Sequence, residues 1–450
     1  MGETAALAEY AVSTTYDDIP ADAVAHAKRA IRDYLGVAVY GSHHGVGDQI
    51  MGYVDRCMDG EEATVIGLGT ASPTGAALAN GVFGHAIDYD DTFESIVIHP
   101  TSPVFAATLA AGEMADADGE ELITAYTVGC EAAYRVGHST YPNHYQNGWH
   151  STGTVGAFGA TAAAAHLLGL SVEQTRHAFG TVASASSALK KNFGSMTKPL
   201  HAGHAAETGL RAAMLAENGF TADEAILEGP IGYGEVMTTD GSYDSTEITE
   251  GLGEEWAVLD LGFKPHPSGV ITHAAMDALR TLVIEHDLTP ADVEGVTVAL
   301  DDAASEMLHH ADPDNALQSK FSIEFCLAAI LRERKAGIHE FTDEYVTSPE
   351  TKAVIAKIDR GFEENLFDAH YASYGARVTV ETTDGETLVN EVKHHPGSPN
   401  NPVSEERLRA KFDECAHTVL EEDDAAALAA AVDSLETHDS VDSLVDLLRP

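Results

Sequence analysis

The chain has 450 residues, 44% of them hydrophobic, and carries 72 acidic against 25 basic residues, for a formal net charge of −47. This charge argues against nucleic acid or an anionic membrane as the main partner, and the apolar content argues against disorder. An acidic coat over an ordinary core is typical of adaptation to high salt. We therefore predict a halophilic cytoplasmic protein without a signal peptide or a transmembrane helix.

The numbers and positions of the lysines and cysteines indicate which residues could be functional and which kinds of site are not expected. Eleven residues are lysines, and each lysine of a chain that avoids them is a candidate for a specific role. The four cysteines lie far apart and form no C-x-x-C pair, so neither a structural zinc site nor a disulfide framework is predicted.

Helical periodicity dominates the first half of the chain. Apolar residues recur at helical spacing from Pro20 onward, and the pattern ends at Gly41, a residue typical of helix ends. The same reading predicts helices at 73–88, 102–115, 119–137, 151–169, 172–188 and 202–218. Small residues fill the stretch STGTVGAFGATAAAAHLLGL, which predicts a central, closely packed helix. No strand is predicted before residue 240.

The pattern changes after a polar, glycine-containing run at 237–255, which we interpret as a linker. Residues 294–300 alternate like a strand, and 376–392 predicts a hairpin around Asp384 and Gly385. Further helices are predicted at 269–286, 321–335 and 350–358, and within 404–450.

These patterns predict a mainly α protein. We expect a large all-helical domain formed by 1–255 together with 404–450. A smaller α+β lid domain is expected at 256–403.

The stretch NGVFGHAIDYDDT at 80–92 places a histidine and three aspartates close together. His85, Asp88 and Asp91 would share one face if the helix persists, although a solvated acidic helix end is the plain alternative. Asp88, Asp90 and Asp91 could also bind Mg²⁺, but no second acidic cluster is evident to complete a cage. We predict no metal site and keep a metal-dependent enzyme as an alternative.

Two histidines precede small-residue helices. His99 stands before Pro100, and His150 stands before Ser151 and Thr152. Helix N-termini attract anions, so a cavity shared by both histidines is indicated, although each could simply be a capping residue. Nearby N–H groups disfavour a protonated ring, which predicts a neutral His150 able to act as a base.

Lysines and further histidines follow. SMTKPLHAGHAAETG gives Lys198 and His201, and LGFKPHPSGVITH gives Lys264 and His273. Lys264 lies where the helical pattern gives way to the mixed one, a usual place for a ligand cleft. The histidine pairs 43–44, 309–310 and 394–395 are predicted at the surface. Lysines that fix carboxylates, beside groups that move protons, predict a small polycarboxylate substrate.

Taken in this order, the motifs resemble the MmgE/PrpD family, which includes 2-methylcitrate dehydratase, cis-aconitate decarboxylase and iminodisuccinate epimerase. They are NGVFGHAIDYDDT, HPTSPV, GWHSTGTVGAFGA, KPLHAGHAAETGLRAAMLAENGFTADEAILEG and KPHPSGVITHAAMDA. The resemblance implies a homodimer, no cofactor, and a helical domain that the C-terminal helices rejoin. It implies catalytic roles for Asp88, His99, His150, Lys198 and Lys264. We add as candidate substrate-binding residues Thr92, Asp91, Ser151, His201 and His273.

One position departs from the family pattern. The decarboxylase has a further active-site histidine five residues after the lysine that matches Lys264, and this chain has Gly269 there. We therefore predict a cofactor-free lyase of the hydratase or dehydratase type, which removes a proton next to a carboxylate. An epimerase of the iminodisuccinate type is the alternative. A decarboxylase, a metal-dependent enzyme and a non-catalytic helical scaffold rank below it.

Overall fold

The computed structural model describes residues 2–239, 241–300, 308–363, 366–368 and 374–449, so residue 240 of the predicted linker lies outside it. Before the main sheet, the α-helices are Glu3–Ser13 (α1), Ala21–Ser42 (α2), Gly45–Cys57 (α3), Pro73–His85 (α4), Thr101–Ala115 (α5), Gly119–Thr140 (α6), Asn143–Gln146 (α7), Ser151–Thr154 (α8), Gly156–Leu167 (α9), Val172–Ala183 (α10), Thr197–Glu217 (α11), Tyr233–Met237 (α12) and Thr246–Thr249 (α13). Around the sheet and after it they are His273–Glu285 (α14), Ala316–Ser319 (α15), Ile323–Glu333 (α16), Asp343–Thr347 (α17), Pro349–Ile355 (α18), Glu405–Ala416 (α19), Glu422–Asp433 (α20) and Asp442–Val445 (α21).

Two small sheets complete the fold. Their strands are Ala63–Val65 (β1), Gly69–Ala71 (β2), Val293–Leu300 (β3), Ile358–Phe362 (β4), Ala376–Thr382 (β5) and Thr387–Val392 (β6). β1 and β2 form an antiparallel hairpin, and the larger sheet has the order β4-β3-β5-β6. In it β3 pairs with β4 in parallel and with β5 antiparallel, and β5 pairs with β6 antiparallel. A mainly α protein with a smaller α+β region is thus confirmed.

The predicted hairpin at 376–392 is present as β5 and β6, and Gly385 adopts the left-handed conformation at φ +88° that its turn requires. The prediction of no strand before residue 240 is wrong, because β1 and β2 pair there. With three residues each, these strands are too short for alternation to show in the sequence.

Several helices end at residues other than those predicted, and two of these differences affect the geometry of the site. The helix predicted at 73–88 ends at His85, and the helix predicted from 202 already begins at Thr197. The prediction at 151–169 divides into α8 and α9 around Val155, and the one at 172–188 ends at Ala183. Asp88 therefore lies in a turn beyond α4, and Lys198 lies in the first turn of α11.

Glycines let α4 and α11 touch through their backbones. A Cβ on Gly81 would lie 2.7 Å from the Cα of Gly203, and one on Gly203 would lie 2.3 Å from the carbonyl oxygen of Leu78. The two helices run so that the end of α4 meets the start of α11. This approach brings His85 and Lys198 within hydrogen-bonding distance.

The hydrophobic core falls into two large clusters. One joins side chains of the helices from α1 onward with residues of the last helices, Leu408 and Phe412 among them. The other joins α14, α16 and the larger sheet. We propose on this basis that 404–450 belongs with the helical domain. Within the part of the chain that the structure describes, none of the helices is long and apolar enough to cross a membrane.

We predict that Phe412→Ala lowers the free energy of unfolding of the helical region by about 3–5 kcal/mol. Phe412 is 1% exposed and packs against Gly36 of α2, so its removal leaves a cavity between α19 and α2. The measurement is urea denaturation followed by circular dichroism. Phe220→Ala is the matched control, because Phe220 is 54% exposed. A loss below about 1 kcal/mol for Phe412→Ala would show that the C-terminal helices do not stabilise the helical region.

Candidate active site

Asp88 is the centre of a buried ionic cluster. It is 3% exposed and adopts a left-handed backbone conformation with φ +57°. Its carboxylate accepts from the Lys198 ammonium at 2.9 Å and from the Lys264 ammonium at 2.5 Å, and Lys264 also donates to the Asp88 backbone carbonyl. Burial alone would raise the pKa of Asp88, but the two ammonium groups outweigh burial and hold it well below its usual value. Asp88 is therefore ionised.

His85 links this cluster to Asp90. The Lys198 ammonium donates to Nε2 of His85 at 2.9 Å, so the proton of the neutral ring is on Nδ1, which lies 2.9 Å from both carboxylate oxygens of Asp90. Burial lowers the pKa of His85 to about 3. The Ser102 hydroxyl also donates to Asp90, at 2.6 Å. Burial opposes ionisation of Asp90, yet its histidine partners hold its pKa well below the usual value.

His150 is a buried neutral imidazole. Burial lowers its pKa well below the usual value, and the charge on Lys198 adds to the effect. Its Nδ1 lies 3.0 Å from Nδ1 of His201, whose pKa burial lowers to about 4. The ring stacks on His85 with centroids 5.8 Å apart and meets Phe193 edge-on at 4.9 Å. These contacts hold the ring in place and leave Nε2 without a hydrogen bond to any described residue.

His99 has a contrasting environment. Its Nδ1 lies 3.4 Å from Asp90 and its Nε2 lies 3.7 Å from Asp88, so a proton on either nitrogen faces an ionised carboxylate. Its backbone N–H donates to the Thr152 hydroxyl at 3.1 Å, which ties the entry of α5 to that of α8. The two histidines predicted at helix entries are thus brought to one site with opposite electrostatic surroundings.

A cavity with an empty volume of about 390 Å³, including space open to solvent, lies over these groups. The helical region and the α+β region both contribute to its wall. The lining residues are Asp88, Val97, His99, Tyr145, His150, Phe193, Lys198, Gly269, Val270, Ile271 and Phe321.

Four predicted substrate-binding residues are not among the residues that line this cavity. Asp91 accepts from the Thr101 hydroxyl at the start of α5, and burial raises its pKa well above the usual value. The expectation that His85, Asp88 and Asp91 share a helix face is therefore wrong, because the helix ends before Asp88. Thr92 is buried and pairs through its backbone with Gly262. Ser151 is buried in α8, and His201 lies behind His150.

His273 is fully buried, and neither ring nitrogen has a hydrogen-bond partner among the described residues. Its ring meets those of His266 and His395 at 5.5 and 5.6 Å. His395, predicted at the surface, is instead 1% exposed, and its Nε2 lies 2.5 Å from Glu94. Glu94 lies far from His395 in the sequence, so no local pattern indicates this burial.

The aspartates considered for a metal site do not assemble as a group, because Asp91 turns toward Thr101. A different trio, His85, Asp90 and His99, has ligand atoms within 4.8 Å of one another. Hydrogen bonds between His85, Ser102 and Asp90 account for its arrangement.

Sequence reasoning missed several residues around the site. The sequence motif at 80–92 contains His85 and Asp90, but Asp90 is predicted only as a possible Mg²⁺ ligand and neither residue as catalytic or substrate-binding. The aromatic walls Phe193 and Phe321 are not predicted either. Two further buried lysines, Lys320 and Lys411, were also missed. The scarcity of lysine, already noted in the sequence, was the signal that could have found them.

The cavity, with Asp88, His99, His150 and Lys198 in its wall, lies where the helical region meets the α+β region. The chain belongs to the MmgE/PrpD family: models of the MmgE/PrpD N-terminal and C-terminal domains match residues 5–246 and 266–437. It is 28% identical to cis-aconitate decarboxylase of Mus musculus, over 95% of this chain and 89% of that protein. It is 28% identical to the cis-aconitate decarboxylase-like protein oryM of Aspergillus oryzae (99% and 97% covered) and 26% identical to cis-aconitate decarboxylase of Aspergillus terreus (100% and 96% covered).

We predict that His150 is neutral in the folded protein at the pH where an ordinary histidine is half protonated, because burial lowers its pKa well below 6.5. Carbon-13 NMR of ring-labelled histidine, with the signal assigned by its absence in His150→Gln, measures this directly. The exposed His417 serves as an internal reference. A His150 signal that titrates at pH 6.5 or above would contradict the prediction.

Proposed function

We propose that this protein is a cofactor-free lyase that acts on a small di- or tricarboxylate by removing a proton next to a carboxylate. The observation that carries the proposal is that two ammonium groups, Lys198 and Lys264, share the single carboxylate of Asp88. Asp90 is already engaged by His85 and Ser102. A substrate carboxylate that enters the cavity would complete the pairing of Lys198, which lines it.

We assign the proton transfers from the environments of the two histidines. His150, which is neutral among cations and other imidazoles, removes the proton from carbon. His99, which faces two carboxylates, gives a proton to the leaving hydroxyl, so that an alkene and water are formed. Asp88 is ionised and holds the lysines, and it does not serve as the proton donor.

Dehydration leads among the reactions that this arrangement could support, and epimerisation is the alternative. An epimerase would remove a proton at the same carbon and return one to the opposite face. The names of the relatives favour a third candidate, a cis-aconitate-type decarboxylase. Gly269 weighs against it, because the cavity wall there carries no side chain.

We further propose that the protein forms a homodimer, as the family resemblance implies, and that it works in a salt-rich cytoplasm. Self-repulsion at a charge of −47 is screened at high ionic strength. Assays should therefore be run in multimolar salt.

We predict that Lys198→Ala lowers kcat/KM roughly 30-fold or more. This corresponds to about 2 kcal/mol of lost transition-state stabilisation, the scale of a lost charged hydrogen bond. Steady-state kinetics on the accepted substrate measure the loss. Lys191→Ala is the matched control, since Lys191 is exposed and lies seven residues earlier in the chain. Equal kinetics in the two variants would remove Lys198 from substrate binding.

We predict that the enzyme, given citrate-like and aspartate-like acids in D₂O, places deuterium at the carbon next to a carboxylate whenever the step reverses. A dehydratase also forms an alkene that absorbs in the ultraviolet, whereas an epimerase changes only the optical rotation. The reaction should persist in EDTA; its loss would favour a metal at His85, Asp90 and His99. Absence of exchange and turnover with every acid would contradict the proposed function.

The Gly269 position separates decarboxylation from the other two reactions. An added Cβ there would lie 3.5 Å from the Lys320 carbonyl oxygen and 3.6 Å from Phe321, which are ordinary contacts. The position therefore accepts a Cβ, and we expect Gly269→His to release more CO₂ from cis-aconitate than the wild type or the Gly269→Ala control. Rapid CO₂ release by the wild type would show that a histidine at this position is not required.

A further inference from the structure

The buried lysines of this chain converge on one turn. Among the described residues, the lysines classed as buried are Lys198, Lys264, Lys320 and Lys411. They come from α11, from the loop before α14, from the residue after α15, and from α19. Each of them donates a hydrogen bond to residues 87–89.

Three of these bonds go to consecutive backbone carbonyls. Lys320 donates to the carbonyl of Ile87 at 2.7 Å, Lys264 donates to that of Asp88, and Lys411 donates to that of Tyr89 at 2.6 Å. The first two carbonyls belong to the peptide planes on either side of the Asp88 Cα. Holding both planes fixes φ and ψ of Asp88 in a left-handed conformation that an L-residue adopts only at a cost in free energy.

Lys320 also contacts a second part of the cavity wall. Its own carbonyl accepts from the Gly269 N–H at 2.9 Å, and the next residue, Phe321, lines the cavity. Lys320 itself is not among the lining residues. One residue of the α+β region thus connects the Asp88 turn to the Gly269 loop without touching the space that a substrate would occupy.

We propose that Lys320 is a positioning residue, which clamps the Ile87–Asp88 peptide so that the Asp88 carboxylate points between Lys198 and Lys264. This inference rests on the proposed function for its kinetic consequence but not for its structural one. The clamp acts from the α+β region on a turn of the helical region, so the Asp88 geometry is complete only when the two regions are packed together.

The environment of Lys320 suits a clamp. Its ammonium is buried and lies 5.7 Å from the centre of the Phe341 ring. Burial lowers its pKa to about 7, an effect that the nearby Asp88 carboxylate opposes and the charges of Lys264 and Lys198 reinforce. An arginine keeps its charge under the same conditions, so Lys320→Arg preserves both the donor and the positive charge.

The test compares Lys320→Met with Lys357→Met in the full-length protein. Lys357 is a matched control, because it also lies in the α+β region and donates to two carbonyls, of Pro290 and Val293, at 2.8 and 2.7 Å. Hydrogen–deuterium exchange of the segment 85–92 is measured by mass spectrometry, together with kcat and KM on the accepted substrate.

We expect Lys320→Met to speed exchange in 85–92 and to lower kcat by about 10- to 100-fold, the scale of a misplaced reacting group. KM should change by less than about threefold, because the side chains that bind the substrate remain in place. Lys320→Arg should restore most of kcat, and Lys357→Met should match the wild type in both readouts. If Lys320→Met does not fold, Lys320→Gln takes its place, since it removes the charge and shortens the side chain by one bond.

Unchanged exchange in 85–92 with kcat within about twofold of the wild type would overturn the clamp. So would an equal loss in Lys357→Met, which would reveal a general structural effect. If the wild type turns over none of the acids, the proposed function fails, while the exchange measurement still decides whether Lys320 holds the Asp88 turn.

Discussion

The pairing of the Asp88 carboxylate with two ammonium groups is the interaction on which the site depends. Removing a carboxylate and two lysines from water costs several kcal/mol for each ion, and only close, well-oriented partners can offset that cost. The Asp88 oxygens have such partners in Lys198 and Lys264. The chain holds these partners from two directions, with Lys198 on a helix packed against α4 and Lys264 on the first segment of the α+β region.

The histidines of the site differ in their burial and in the charges that surround them. Burial lowers the pKa of His85 and of His150, and the Lys198 ammonium, which contacts His85, adds to the effect on both, so both rings are neutral. His99 instead contacts Asp88 and Asp90. The His150 ring therefore lies near an ammonium group and other imidazoles, whereas the His99 ring lies near two carboxylates.

Much of this could be predicted from sequence, because the informative residues stand at helix ends that leave local signals. His99 and His150 precede small-residue helices, and Lys198 and Lys264 stand out in a lysine-poor chain. The left-handed turn at Asp88 could not be predicted, since the helical pattern runs on through it and the lysines that hold it come from residues 264, 320 and 411. Burial of His395 likewise depends on Glu94, which no local pattern connects to it.

Contact between Gly81 and Gly203 has a consequence for how this site can change over time. The distance between His85 and Lys198 is set by the absence of two methyl groups, since either Cβ would force α4 and α11 apart. The geometry of the buried cluster therefore restricts substitution at these two glycines, although neither carries a functional group. One added carbon atom in this helix contact would disturb the pairing of His85 with Lys198 while every ionisable side chain of the cluster remains in the sequence.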